Sequence, residues 1–421
     1  MLLNFNPITQ KASGFGKAIK EASPVLVLSA MFLLLFFRNI RLFVYPVPWG
    51  EDFAIFISQE YSTGFPRTAF SLYAGYIHLL PRIIACLSVN LGMPCAMFAM
   101  NWSVLIIKVW IFYLIYKSDE IRSGIVKFSL LGYLILLPYC DEIYNNVTNL
   151  QWWLIPLMAL IILRRCAGIA ELAADVLVLA LAGLTGVNSV MFALPCVFLL
   201  FRIRTTGCLV KCLAVIICAC VQLWCLWTSG RSGNGTLMYQ GGIFGIVSLF
   251  VNRVIFTTLF QFHSESPAII LVFIIYAAVL AFNLWIFRKN SAVHFIFIFA
   301  AVYSAVIFYN FMKTMPDFHE LMSGWAGERY FVFLRICTFV MLVSSLGFLF
   351  RRLSDRRNCR RLMLCLLLAL CVVVARHCHY HVRFPFDYPY YSDLERFESA
   401  GPGESVTFHY APGWSTVLTR K

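Results

Sequence analysis

Glu51 and Asp52 stand side by side in Pro48-Trp49-Gly50-Glu51-Asp52-Phe53, just behind the first long hydrophobic run of the chain. Only 20 of the 421 residues are acidic, and a carboxylate next to a bilayer is costly enough that it usually has a task. One carboxylate can take the proton from a hydroxyl as that hydroxyl attacks an activated carbon. Its neighbour can position a donor, an acceptor or a metal. The structural alternative is a helix cap, because Asp52 precedes the apolar Phe53, Ile55, Phe56 and Ile57.

Three further constellations could serve such chemistry. Ser71–Arg82 is aromatic and amphipathic, with Tyr76 and His78 at interfacial depth and Arg82 suited to a lipid phosphate through its planar fork; plain anchoring is the other reading. Asn145–Trp153 combines amides with indoles. Asn149 and Gln151 can bond sugar hydroxyls, Trp152 can pack a pyranose face, and Trp153 fits an interfacial belt equally well. Glu328-Arg329, in Trp325–Phe331, is either a structural ion pair or part of the site, with Arg329 a second phosphate contact and Glu328 a contact to sugar or acceptor; Asp317, His319 and Glu320 lie in the same loop. His377, His379 and His381 alternate, which would put them on one strand face as metal ligands or as solvated side chains. The 15 cysteines contain no CxxC pair and read as small apolar packing residues. Neither GxxxxGK[ST] nor GxGxxG occurs, so no site for a soluble nucleotide is expected.

The elements that must position these residues are membrane elements. The chain is 61% hydrophobic and 13% charged, with mean hydropathy +0.78, against ~25% charged for a soluble protein. Apolar runs recur at a length that crosses the ~30 Å of hydrocarbon, the shorter ones with help from flanking residues. The fold class expected is an all-α polytopic membrane protein. The net charge of +14 sits largely in short loops between spans, as membrane orientation requires, and is not a nucleic-acid signal. The run 22–37 lacks a small-residue cleavage site and reads as an uncleaved first span.

If basic loops face the cytoplasm, spans fall at about 22–37, 94–116, 125–139, 150–163, 171–187, 189–201, 209–227, 268–287, 292–311, 331–350 and 362–375. Asn252, Arg253 and Gln261 make 243–262 expensive in lipid, so it is expected to be re-entrant or interfacial. The result is about eleven transmembrane helices over 1–375, with the N-terminus inside. An outer loop 38–93 contains interfacial helices. An extramembrane tail, 376–421, lies outside. Its prolines and glycines exclude a long helix, while Ser405–Tyr410 and Trp414–Leu418 alternate like strands, a small α/β or β element.

The acidic pair after span one, the "YAGYIHLLPR" segment, "VTNLQWW" at a span mouth, "GERYF" late in the chain and a terminal "PGW" together resemble multi-span GT-C-type membrane glycosyltransferases. Size and layout are similar to the phage-encoded, serotype-converting O-antigen glucosyltransferases of enteric bacteria. That resemblance implies an undecaprenyl-phosphate-linked sugar, usually glucose, as donor and O-antigen lipopolysaccharide as acceptor. It implies transfer at the periplasmic face of the inner membrane. It implies an outer-loop acid, Asp52 or Glu51, as base or metal ligand, which leaves room for a divalent metal. The family often has an Asp-first pair and this chain reads Glu51-Asp52, so the order of roles stays open. An O-antigen polymerase, another membrane transferase and a lipid-linked sugar flippase are the competing readings.

Overall fold

The computed structural model describes residues 24–119, 121, 124–138, 140–203, 205–230, 242–259, 266–286, 299–300, 302–306, 327–353 and 387–421. The histidines 377, 379 and 381, the loop residues 317, 319 and 320, and the expected span 362–375 lie outside them, as does most of the expected span 292–311.

The described chain is mostly helical, with two small sheets. Helix α1 covers Pro24–Arg38 and is followed by a single turn, Arg41–Val44. A π-helical turn, Asp52–Ile57, runs into α2, Ser58–Thr63. Strands β1, Leu72–Tyr73, and β2, Tyr76–Ile77, form a hairpin whose tip, Ala74 and Gly75, has φ of 55° and 87°, the geometry a tight two-residue turn needs. Then come α3, Leu79–Asn90, and α4, Met93–Lys117. Helix α4 opens with Pro94 in its first turn and closes on Lys117, the favoured chemistry at each end. Helices α5 (Gly124–Ile135), α6 (Leu150–Leu163), α7 (Ile169–Gly183), α8 (Asn188–Arg202) and α9 (Thr206–Thr228) follow. The stretch 242–259 is helical throughout: α10 (Gly242–Phe250), a second π-helical turn (Val251–Phe256) and a short turn. Helices α11 (Ile269–Ile286) and α12 (Val332–Leu353) precede the tail.

Among the described residues, three helices are long and apolar enough to cross a membrane: α4, α9 and α11. Shorter apolar helices include α1, α3, α6, α8 and parts of α5, of α12 and of the 242–259 stretch. Nine of the expected spans therefore fall on helices, but α6, α7 and α8 have only 14, 15 and 15 residues. At 1.5 Å per residue, the 14 residues of α6 rise about 21 Å, short of the hydrocarbon thickness.

Buried cations explain several short ends. A helix leaves its last carbonyls unbonded, and an apolar surrounding supplies no water for them. Arg38 donates to the carbonyls of Ile135 (2.5 Å) and Leu137 (2.6 Å), closing α5. Lys211 donates to Ile161 O (2.8 Å) and Arg164 O (2.5 Å), closing α6, and its charge is met by Asp175, which also binds Arg164. Lys108 bonds the carbonyl of Tyr144 and sits 3.9 Å from that ring centroid. Gln222 of α9 bonds both the N–H (2.9 Å) and the carbonyl (3.0 Å) of Ile77, fixing the small hairpin against the helices.

The tail matches its expected strands and adds a helix. Helix α13, Tyr390–Ser399, packs on the antiparallel pair β3, Ser405–Tyr410, and β4, Trp414–Thr419, in register from Ser405↔Thr419 to Tyr410↔Trp414. Asp393 anchors it, accepting from His409 N (2.8 Å) and contacting His409 Nδ1 (2.9 Å). The tail docks on the segment that carries the acid pair. Gly50 N–H donates to Ala411 O at 2.7 Å, and the Phe53 ring lies among Tyr390, Phe408 and Tyr410 at 5.8, 4.8 and 5.1 Å.

Candidate functional site

The π-helical turn begins at Asp52, and this side chain is no helix cap. Glu51 occupies the position before the turn with helical backbone angles and makes no side-chain capping bond. The fully buried Asp52 carboxylate instead reaches the turn before α6. Oδ2 accepts from Val147 N (3.0 Å), and Oδ1 accepts from Thr148 N (2.8 Å) and Thr148 Oγ1 (2.6 Å). Burial raises its pKa to about 6 against the opposing pull of these three bonds. The first outer loop and the "VTNLQWW" mouth are thus tied together through one carboxylate.

Glu51 points the other way and is half-buried. It accepts from Tyr73 Oη at 3.2 Å. Burial, then the Glu51 charge, raises the Tyr73 phenol, so Tyr73 is a donor. Beside this pair stands a second one: Arg329 Nη1 lies 2.9 Å from Glu142 Oε1, with side chains 27% and 17% exposed. Burial raises the Glu142 pKa and Arg329 draws it back. Burial likewise pulls down on Arg329, but Glu142 and Glu51 hold it above its ordinary value. Glu51, Tyr73, Glu142 and Arg329 therefore feel one another's charge and form a partly accessible polar group. Trp152 and Tyr330 meet edge-on at 5.5 Å nearby.

Glu328, expected to contact sugar or acceptor, is buried. One oxygen meets Arg253 at 3.1 Å and the other binds Arg335. Arg335 also donates to Arg253 O at 2.8 Å. Glu328 thereby joins the second π-helical turn to α12, and Asn252 and Arg253, costly in lipid, are buried against protein.

Arg82, expected to hold a lipid phosphate at headgroup depth, is fully buried. Its guanidinium lies 5.0 Å from the Phe56 ring centroid and makes long bonds to Ile55 O (3.3 Å) and Ser71 O (3.4 Å). His78 is fully buried among Phe56, Tyr73 and Tyr76, at 5.7, 5.4 and 4.6 Å, and both ring nitrogens lack a partner. Burial, with the Arg82 charge, pushes its pKa down to about 3, so the ring is neutral. Asn149 is fully used: its N–H donates to Asn146 Oδ1 (2.9 Å), its amide to Glu142 O (3.1 Å), and its oxygen accepts from Trp152 Nε1 (3.1 Å). Gln151 Oε1 has no partner and lies where a Gly186 side chain would begin, so Gly186, at φ +86°, is required there.

The fold thus brings Glu51, Asp52, Asn149, Trp152, Glu328 and Arg329 to one end of the helices. Tyr76, His78 and Arg82 form an adjoining cluster linked through Tyr73. The sequence reading did not single out Tyr73 or Arg335, and it read Arg253 only as a charge costly in lipid. Arg335 carried a signal, a charge inside an expected span. Among the described residues, no three His, Cys, Asp or Glu gather as a metal site would need. The chain matches no protein-family model and no curated protein.

Proposed function

We propose that the protein is a polytopic membrane glycosyltransferase, with about eleven spans and a GT-C-like layout, in a bacterial inner membrane. It transfers a hexose, glucose by its resemblance, from undecaprenyl phosphate to an O-antigen polysaccharide on the periplasmic side. The observation that carries the reading is the gathering of Glu51, Tyr73, Glu142 and Arg329, from three distant segments, at one end of a bundle of apolar helices. A lipid-borne donor needs its phosphate met by a guanidinium at that depth, and a neutral acceptor needs hydroxyl-bonding groups and one available base.

Glu51 is the base in this reading, because it is the accessible member of the pair. It takes the proton from the acceptor hydroxyl as that oxygen bonds the anomeric carbon. The bond from that carbon to the donor phosphate breaks, and the polyprenyl phosphate leaves with the electron pair opposite Arg329. Asp52 is a positioning residue that holds the 145–153 mouth against the acid loop. Arg82 and Glu328 support the site through their buried partners.

The test is transfer of labelled hexose from undecaprenyl phosphate by membranes containing the wild type or Glu51→Gln. Wild-type transfer lost in Glu51→Gln at equal abundance supports the reading, and equal transfer by both contradicts it.

A further inference from the structure

We propose that the C-terminal helix and hairpin carry the platform for the polysaccharide acceptor, with the Trp414 indole stacking a hexose ring beside Glu51. The proposal rests on the transferase reading above and assigns its acceptor site.

Trp414 begins β4 and is 42% exposed. Its benzene ring is held against the backbone of Gly50, where a Cβ would stand 3.4 Å from Cδ2 and from Cε3. Gly50 precedes Glu51, so the exposed indole is fixed one residue from the proposed base. The Gly50–Ala411 hydrogen bond and the Phe53 ring cluster keep the hairpin there. At the other end of the same segment, Tyr45 is 63% exposed and Tyr391 40%. The Tyr391 hydroxyl donates to Pro46 O at 3.2 Å. Three exposed aromatic side chains therefore flank residues 45–50 on the way to Glu51.

Flat, exposed rings backed by rigid backbone suit the C–H face of a pyranose, whose hydroxyls stay wet. They also suit a membrane interface, and charge decides between the two. Residues 376–421 hold five acids (Asp387, Asp393, Glu395, Glu398, Glu404) and five bases (Arg376, Arg383, Arg396, Arg420, Lys421), a balance of zero in a chain of +14. Anionic headgroups attract basic segments, and a tail without net charge has no such attraction. A neutral hexose polymer needs none.

The experiment uses the full chain in nanodiscs: wild type, Trp414→Ala, Trp414→Phe, and Val417→Ala as a control at another exposed β4 position. Binding of lipid-free O-polysaccharide is measured without donor, and KM is measured separately for polysaccharide and for undecaprenyl-phosphate hexose. Truncating an interface anchor of this kind weakens binding about tenfold. Trp414→Ala should show that loss in polysaccharide affinity and the matching rise in acceptor KM, with the donor KM unmoved. Trp414→Phe should recover most of it, and Val417→Ala should match wild type. Equal polysaccharide binding by wild type and Trp414→Ala overturns the proposal, and so does a rise in donor KM equal to that in acceptor KM, which would mark a membrane-anchoring role. Trp414-dependent binding by a protein that transfers nothing would uphold the platform while overturning the transferase reading.

Discussion

The two adjacent acids have opposite surroundings, and that difference sorts their roles. Asp52 is fully buried and gives three acceptor contacts to Val147 and Thr148, whereas Glu51 faces Tyr73 and the Glu142–Arg329 pair. Glu51→Gln should lower transfer by about 10²–10⁴-fold, the usual contribution of a positioned base, with normal abundance in the membrane. Asp52→Asn and Thr148→Val should each lower transfer less, and their effects should fall well short of additive, because both break the same tether; a strictly additive pair would separate Asp52 from Thr148. The pH dependence has a worked sign. The Asp52 pKa is raised by burial to about 6, so its ionised form is the one folding disfavours. Its contribution to stability is present at low pH and is lost as pH rises through about 6. The tether needs the ionised form, so transfer should fall below about pH 6 while wild type gains stability relative to Asp52→Asn over the same range. Scarcity of acids made Glu51-Asp52 legible in the sequence. Their partners were not, because Asp52 meets residues 95 and 96 positions away, and no local pattern encodes such a contact.

At the scale of elements, two π-helical turns sit at the candidate site, one starting at Asp52 and the other containing Arg253. Such wide turns recur at functional positions because they re-aim side chains that a regular helix would misplace. Glu328 fastens the second turn to α12 by pairing with Arg253 and Arg335. Glu328→Gln leaves those guanidinium groups buried without their countercharge, and should cost about 3–5 kcal/mol. It should be read as reduced thermal stability in detergent, with a smaller loss for Arg329→Lys at the more exposed pair. Phe53→Ala, which empties the pocket between Tyr390, Phe408 and Tyr410, should expose the tail to limited proteolysis; an unchanged digestion pattern would mean that the tail holds its place without Phe53. The strands of the tail were legible from their alternation. Helix α13 was hidden by the surrounding prolines and glycines, and the docking of the tail on residues 49–61 had no signal in sequence.

At the scale of the whole molecule, hydropathy marked where most helices lie, and α6 has the expected bounds. Arg38 and Lys211 take carbonyls at the ends of α5 and α6, contacts that no hydropathy window encodes. The contact between Gly50 and Ala411 puts the first loop and the tail on one side of the molecule. Reporters fused after Lys421 and after Arg357 should therefore report from the periplasm and the cytoplasm respectively if the eleven-span layout holds, and cysteines at Trp49 and Ala411 should cross-link. The most direct measurement is mass spectrometry of the O-polysaccharide from a strain of defined O-antigen expressing the wild type, Glu51→Gln, or the Glu51→Gln, Asp52→Asn pair. The account predicts one added hexose per repeat unit with the wild type and none with either variant at equal abundance. An unaltered polysaccharide with wild-type protein in the membrane, or full modification by the double variant, would contradict it.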